Sequence, residues 1–332
     1  MGRLDSRTAA AALIVLMMSF VCGLGGAAPA DWKVFKVSEV RVAAEDDDDA
    51  IIAKAAFLLA EGDRLFVVDS GDHAVKVFDR DGRFLKKIGR MGRGPGEFES
   101  PSGVCRLKGR LFVADAGNGQ VQVLNEEGGY MSSFKLPFRP DKVHPVDGRL
   151  LLVTKLAGGR GVSEKMVQIF DLEGRQVGMC LDSLVSGDPV LDSLRNLFFV
   201  LPGEDGGFFV ARVYDDRRLL RFSGEGRPLG GIALDERYRG RRVDLSPIGK
   251  KEKLTALCWS CVRAAGFFYI LTPEALEGGD AGPGRIIYSV ADDGRIVGEI
   301  GLPEPVTRIA VSGSRVFAVD AYGGLRIFEF GR

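Results

Sequence analysis

The sequence predicts an all-β fold: a six-bladed β-propeller of four-stranded blades, with an N-terminal strand completing the last blade. Three observations predict it. First, LFVVDSGDHAVKVFDRDGRF (residues 65–84) and LFVADAGNGQVQVLNEEGGY (residues 111–130) align without a gap, and VFAVDAYGGLRIFEFG (residues 316–331) repeats their pattern at the C-terminus. Self-similarity at a period of roughly 20–50 residues marks stacked supersecondary units, each burying an apolar face on its neighbours. Second, weaker copies at 150–176, 208–228 and 268–296 fill the interval, so the second strand of successive units ends at Asp69, Asp115, Thr154, Arg212, Thr272 and Asp320. Four strands in each ~50 residues is the spacing of a propeller blade. Third, the sixth unit stops after LRIFEF (residues 325–330), while an unused alternating segment, WKVFKVSEVRV (residues 32–42), precedes the first unit. Placed beside LRIFEF, it leaves the ring with no open edge.

Each unit has one grammar: an apolar strand, a tight turn, a strand such as LFVVD, a variable loop, a strand such as VKVFD, an Asp-Gly-type turn and a last strand. Alternation and Asp-Gly turns are hairpin signals. The acidic run 45–49 falls in the crossing to the first blade and reads as a solvated linker. In the next crossing, GRMGRGPGEFESPSGV (residues 89–104), the chain must turn back sharply toward the axis. Gly92, Gly94 and Gly96 permit positive φ there, and Pro95 stiffens the turn. No helix follows these glycines to present its N-terminus to a phosphate.

This crossing and the strands after it resemble the NHL-repeat family and the six-bladed propellers of bacteria. Gly89, Gly92, Gly94, Gly96, Phe98, Pro101, Gly103, Asp115 and Asn118 stand where that pattern has them. The likeness is specific in the first two blades, fades through the third to fifth and partly returns in the sixth. It implies the fold. It implies little about function, because propellers host binding, scaffolding and several unrelated chemistries.

Lys and Arg number 45 against 45 Asp and Glu, so no net field gathers nucleic acid or a membrane surface. The N-terminus reads as an export signal, residues 1–30: Arg3 and Arg7 precede an apolar run at 9–24, and Ala28-Pro29-Ala30 gives an A-x-A cleavage site before Asp31. Residues 31–332 then form the propeller, periplasmic or secreted, with no membrane span after cleavage. The alternative is an uncleaved N-terminal anchor, the apolar run being at the short end of the ~17–25 residues that cross a bilayer. Lipidation at Cys22 is disfavoured by Val21 before it. RNA, a ligand of some NHL-type propellers, does not suit an exported chain.

An exported chain can oxidise its cysteines. Cys258-Trp-Ser-Cys261, however, lies inside TALCWSCV, which reads as one strand. Residues three apart on a strand face opposite ways, with Cα atoms about 10 Å apart, beyond the roughly 7 Å limit for a disulfide. Buried structural thiols are expected at Cys105, Cys180, Cys258 and Cys261.

Candidate chemistry is sparse. His73 occupies a second-to-third-strand loop, where the resemblance gives it a structural role. His144 falls on the predicted innermost strand of the third blade, where it can face the central channel. Two histidines cannot assemble a three-histidine zinc site. Asp69, Asp115 and Asp320 share one position on three consecutive blades, and an acidic arc there would suit Ca²⁺. The preferred reading is that each carboxylate accepts backbone amides of its own loop. With His144 they are the metal candidates of the rival function, a metal-assisted hydrolase or lyase at the channel mouth. No cofactor is expected.

Loop length points to a working face. Second-to-third-strand loops and interblade crossings lie on one face, and there the chain expands at 155–165, 181–195, 235–253 and 273–284, all in the third to fifth blades. Long loops on a rigid scaffold carry binding residues. DERYRGRRVDLSPIGKKEK (residues 235–253) holds seven bases against four acids. Arg237, Tyr238, Arg239, Arg241, Arg242 and Lys250 are its candidate binding residues. The expected role is binding or scaffolding, with another envelope or extracellular protein or a polyanion as partner, as a monomer or in a hetero-complex.

Overall fold

The computed structural model describes residues 33–40, 48–154, 164–214, 216–238, 240–245, 253–275 and 281–331. The export signal, residues 1–30, lies outside them, as do Arg239, Lys250, residues 155–163 and most of the acidic run at 45–49. Among the described residues no helix is long and apolar enough to cross a membrane.

The repeats fold into a β-propeller. Four antiparallel sheets follow one another: Ala55–Glu61 through Phe84–Ile88, Pro101–Leu107 through Tyr130–Lys135, Pro140–Val146 through Gln176–Asp182, and Phe198–Pro202 through Pro228–Ala233, each of four strands. An eight-stranded sheet completes the set. The first strands neighbour one another in order, from Ala55–Glu61 round to Ile296–Ser312, which returns to Ala55–Glu61. They are the inner wall. Second and third strands are buried on both faces, as in Arg64–Asp69 and Ala74–Asp79, because neighbouring sheets cover them. Their sequences are therefore nearly continuous apolar runs. The outer strand Tyr130–Lys135 is exposed and polar.

The cores lie between sheets. Phe66, Val68 and Val77 of the first sheet pack with Val104, Val113 and Leu124 of the second. Leu58, Leu65 and Val67 pack with Phe317, Val319 and Ile327 of the last strands, so the end of the chain seals onto its beginning. Ion pairs repeat this stitching at the short turns: Arg106 reaches Glu61 at 3.9 Å, Arg263 reaches Glu204 at 3.8 Å, and Arg315 reaches Asp81 at 2.6 Å.

The eight-stranded sheet arises because Ile296–Ser312 serves two neighbours. Its first half pairs with Gly284–Val290 and its second with Arg315–Asp320. The N-terminal segment differs accordingly from the single closing strand expected. It breaks at Lys36: Lys33–Phe35 runs parallel to Ile296–Ser312, and Val37–Val40 runs antiparallel to Leu325–Phe330. The shared strand brings two outer edges together, and each half covers one. Phe35 seals the join, its ring 5.5 Å from that of Phe330. Gly298 makes room, since a Cβ there would lie 2.3 Å from the Phe35 ring.

Candidate functional site

The repeated aspartates tie turns together. Asp69, fully buried, accepts the amides of Ala53 and Lys54 at 2.8 Å and those of Gly71 and Asp72 at 3.1 and 3.2 Å, and pairs with buried Lys76 at 3.2 Å. Asp115 accepts from the Glu99 amide, Asn118 and Gln120, each at 2.8 Å, and from Gln122 at 3.2 Å. Asp320 accepts the amides of Tyr322 and Gly324 at 2.8 Å and faces Arg326 at 3.2 Å. The loop-amide reading holds for Asp69 and Asp320, and Asp69 and Asp115 also fasten the crossing that precedes their sheet. Their lone pairs are committed to donors. Among the described residues no cluster of three or more His, Cys, Asp or Glu is placed to hold a metal ion.

Both histidines are engaged. His73, at φ 53°, accepts the Ser100 amide on Nδ1 at 2.9 Å and so ties the first sheet to the second. His144 is buried, its ring 5.7 Å edge to face from that of Phe57. Burial, reinforced by nearby Lys142, pushes its pKa down to about 3. It is a packed, neutral imidazole.

Phe57, Gly103, Lys142, Phe199, Ser260 and Arg308 occupy one level of the inner wall, near the end where the crossings enter. Lys142 donates to the Ser102 carbonyl at 3.0 Å and stands 5.9 Å from the Phe57 ring centre. Two cations at this level oppose the cation site that the rival function needs. Sequence reasoning missed the level because its members lie far apart in the chain and share no motif.

Three of the expanded connections, 181–195, 235–253 and 273–284, meet in one cap through their described residues. Asp188 caps the short helix Pro189–Arg195 by accepting the amides of Val190 and Leu191. Part of the 235–253 crossing is not loop but a hairpin, Arg241–Asp244 with Lys253–Ala256. Leu191 packs with Val243, Leu245, Leu254 and Ala256, joined by Tyr214 and Ala281, so four separate connections share a small core. Leu184, Val185, Val190 and Leu197 remain exposed on the helix side.

The four candidate binding residues that are described, Arg237, Tyr238, Arg241 and Arg242, do not form one exposed set. Tyr238 is only 1% exposed; its hydroxyl donates to the Leu257 carbonyl and its ring meets Tyr288 edge to face. A buried tyrosine that satisfies its hydroxyl on backbone is a core residue, which corrects its assignment as a contact. Arg237 is clasped by Asp235, whose pKa this contact pulls down to about 2. Arg241 and Arg242 are exposed and make no ion pair among the described residues.

TALCWSCV is not a single strand. One strand ends at Ala256 and the next starts at Ser260, with Cys258 and Trp259 between them, because the chain passes from the cap to the inner wall there. The two thiols are nonetheless buried and free, and burial pushes that of Cys258 up to about 12.

A family model described as a 6-bladed beta-propeller matches residues 43–103, and one described as an NHL repeat matches residues 98–124. The chain is a β-propeller, and its residues 98–124 match an NHL repeat. No curated protein matches the propeller's sequence. Among solved structures, a Bacteroides fragilis protein described as exported aligns with TM-score 0.61 and 12% identity over 90% of this chain and 95% of its own. Virginiamycin B lyase from Staphylococcus aureus aligns with TM-score 0.52 and 9% identity, covering 90% and 99%. At these identities the likeness shows the propeller fold alone.

Proposed function

We propose that the chain is an exported, six-bladed binding module that docks another envelope or extracellular protein on its cap. One observation carries this reading: a separate core fixes Arg241 and Arg242, exposed and without an ion pair among the described residues, on the same cap as exposed Leu184, Val185 and Val190. An apolar centre beside unpaired arginines suits a partner with apolar anchors and an acidic rim. Export is supported by the signal-like sequence of residues 1–30, with Ala28-Pro29-Ala30 as the cleavage site before Asp31. Six blades are supported by the family description and by dividing the eight-stranded sheet at Ile296–Ser312. The lyase likeness brings no activity with it, since His144 is buried and the carboxylates are occupied. Association of the wild type with a partner from its own compartment, compared with Arg241→Ser/Arg242→Ser at low and high salt, tests the reading. The variant is expected to associate more slowly and with less salt dependence; identical salt profiles would overturn it.

A further inference from the structure

The level of the inner wall that holds Lys142 and Arg308 sets two cations against one carboxylate, Asp141. Arg106, Arg263, Arg315 and Arg326 each hold a carboxylate. Arg212, also buried, donates to the carbonyls of Arg195 and Asp182, both at 3.1 Å. Arg308 is half-buried, yet it bonds only the carbonyl of Thr307 at 2.9 Å, and no carboxylate pairs with it among the described residues. Asp141 pairs with Lys142 at 3.5 Å and also acts on Arg308 without pairing with it, so one positive charge remains in excess at this level. A half-buried guanidinium keeps its charge, and its lost hydration is best replaced by an anion.

The surroundings describe the anion. Phe57 and Phe199 stand half-buried at the same level, Gly103 contributes no side chain, and buried Ser260 accepts the Ile309 amide at 3.3 Å. Apolar walls with a few convergent polar groups are the make-up of a small-molecule site. We propose that this level of the inner wall binds a small carboxylate with an apolar, ring-bearing body, the carboxylate on Arg308 and the body among Phe57 and Phe199. The site is separate from the cap and does not depend on protein docking.

Phenylacetate is the probe, with benzylamine as its cationic counterpart. Titration of the full chain, followed by the Gly103 amide resonance and by calorimetry, is expected to saturate with phenylacetate and not with benzylamine. Arg308→Gln is expected to weaken binding by roughly tenfold or more, the scale of one charge-assisted hydrogen bond. Should Arg308→Gln not fold, the wild-type comparison of the two probes still decides. Equal response to benzylamine, or no saturation by about 10 mM phenylacetate, would overturn the proposal. Arg241→Ser/Arg242→Ser is expected to leave this titration unchanged, so failure here and failure of the docking reading are distinguishable.

Discussion

Phe57, on the inner strand of the first sheet, and His144, on that of the third, meet edge to face with ring centroids 5.7 Å apart. Gly103, on the inner strand of the second sheet, lets the third sheet's inner strand approach closely. A Cβ there would sit 3.1 Å from the Val143 amide nitrogen. The inner wall's histidine is thus structural.

The burial of His144 makes stability fall with acid. The folded pKa of His144 is about 3, below an unfolded value of ~6.5, so the unfolded chain binds the extra proton between them. The stabilisation is whole above pH ~6.5 and is lost as pH falls toward the folded value, at up to about 1.4 kcal/mol per unit. His144→Leu should flatten the decline of Tm from pH 7 to pH 4, as followed by circular dichroism. Parallel declines in both proteins would remove His144 as the cause.

Asp115→Ala leaves the Glu99 amide, Asn118, Gln120 and Gln122 without their shared acceptor. Stranding buried donors should cost on the order of 3 kcal/mol, measured by urea unfolding. A loss under about 1 kcal/mol would mean that water replaces the carboxylate.

Removing residues 31–40 should expose Leu325–Phe330 and the outer edge of Ile296–Ser312 together. Aggregation, or a Tm at least about 10 °C lower, is expected in thermal scans monitored by light scattering. An unchanged transition would show that the N-terminal strands are dispensable to closure.

The thiols of Cys105, Cys180, Cys258 and Cys261 are buried, and burial raises the pKa of each. Dithionitrobenzoate at pH 8 should label them only after unfolding. Rapid labelling of the native protein would contradict their burial.

The propeller was legible wherever turn chemistry and apolar strands recur, because each blade writes them locally. Closure was legible only in part: the missing strand beside Leu325–Phe330 showed, but nothing local reveals that Ile296–Ser312 is shared. The cap's hairpin escaped notice because Arg241 and Arg242 mask the alternation of a very short strand. Tyr238 reads as surface among arginines, and only tertiary packing buries it. Phe57, Lys142 and Arg308 carry no motif, since a level of the inner wall is sampled once per repeat.

Photo-crosslinking from the cap tests the central claim most directly. A crosslinker at exposed Val190 is compared with one at Leu229, on the outer strand of the fourth sheet. In the native compartment, Val190 should yield one discrete protein adduct that Leu229 does not, and Arg241→Glu/Arg242→Glu should abolish it. The same adducts from Leu229, or a Val190 adduct indifferent to the arginines, would contradict docking on the cap.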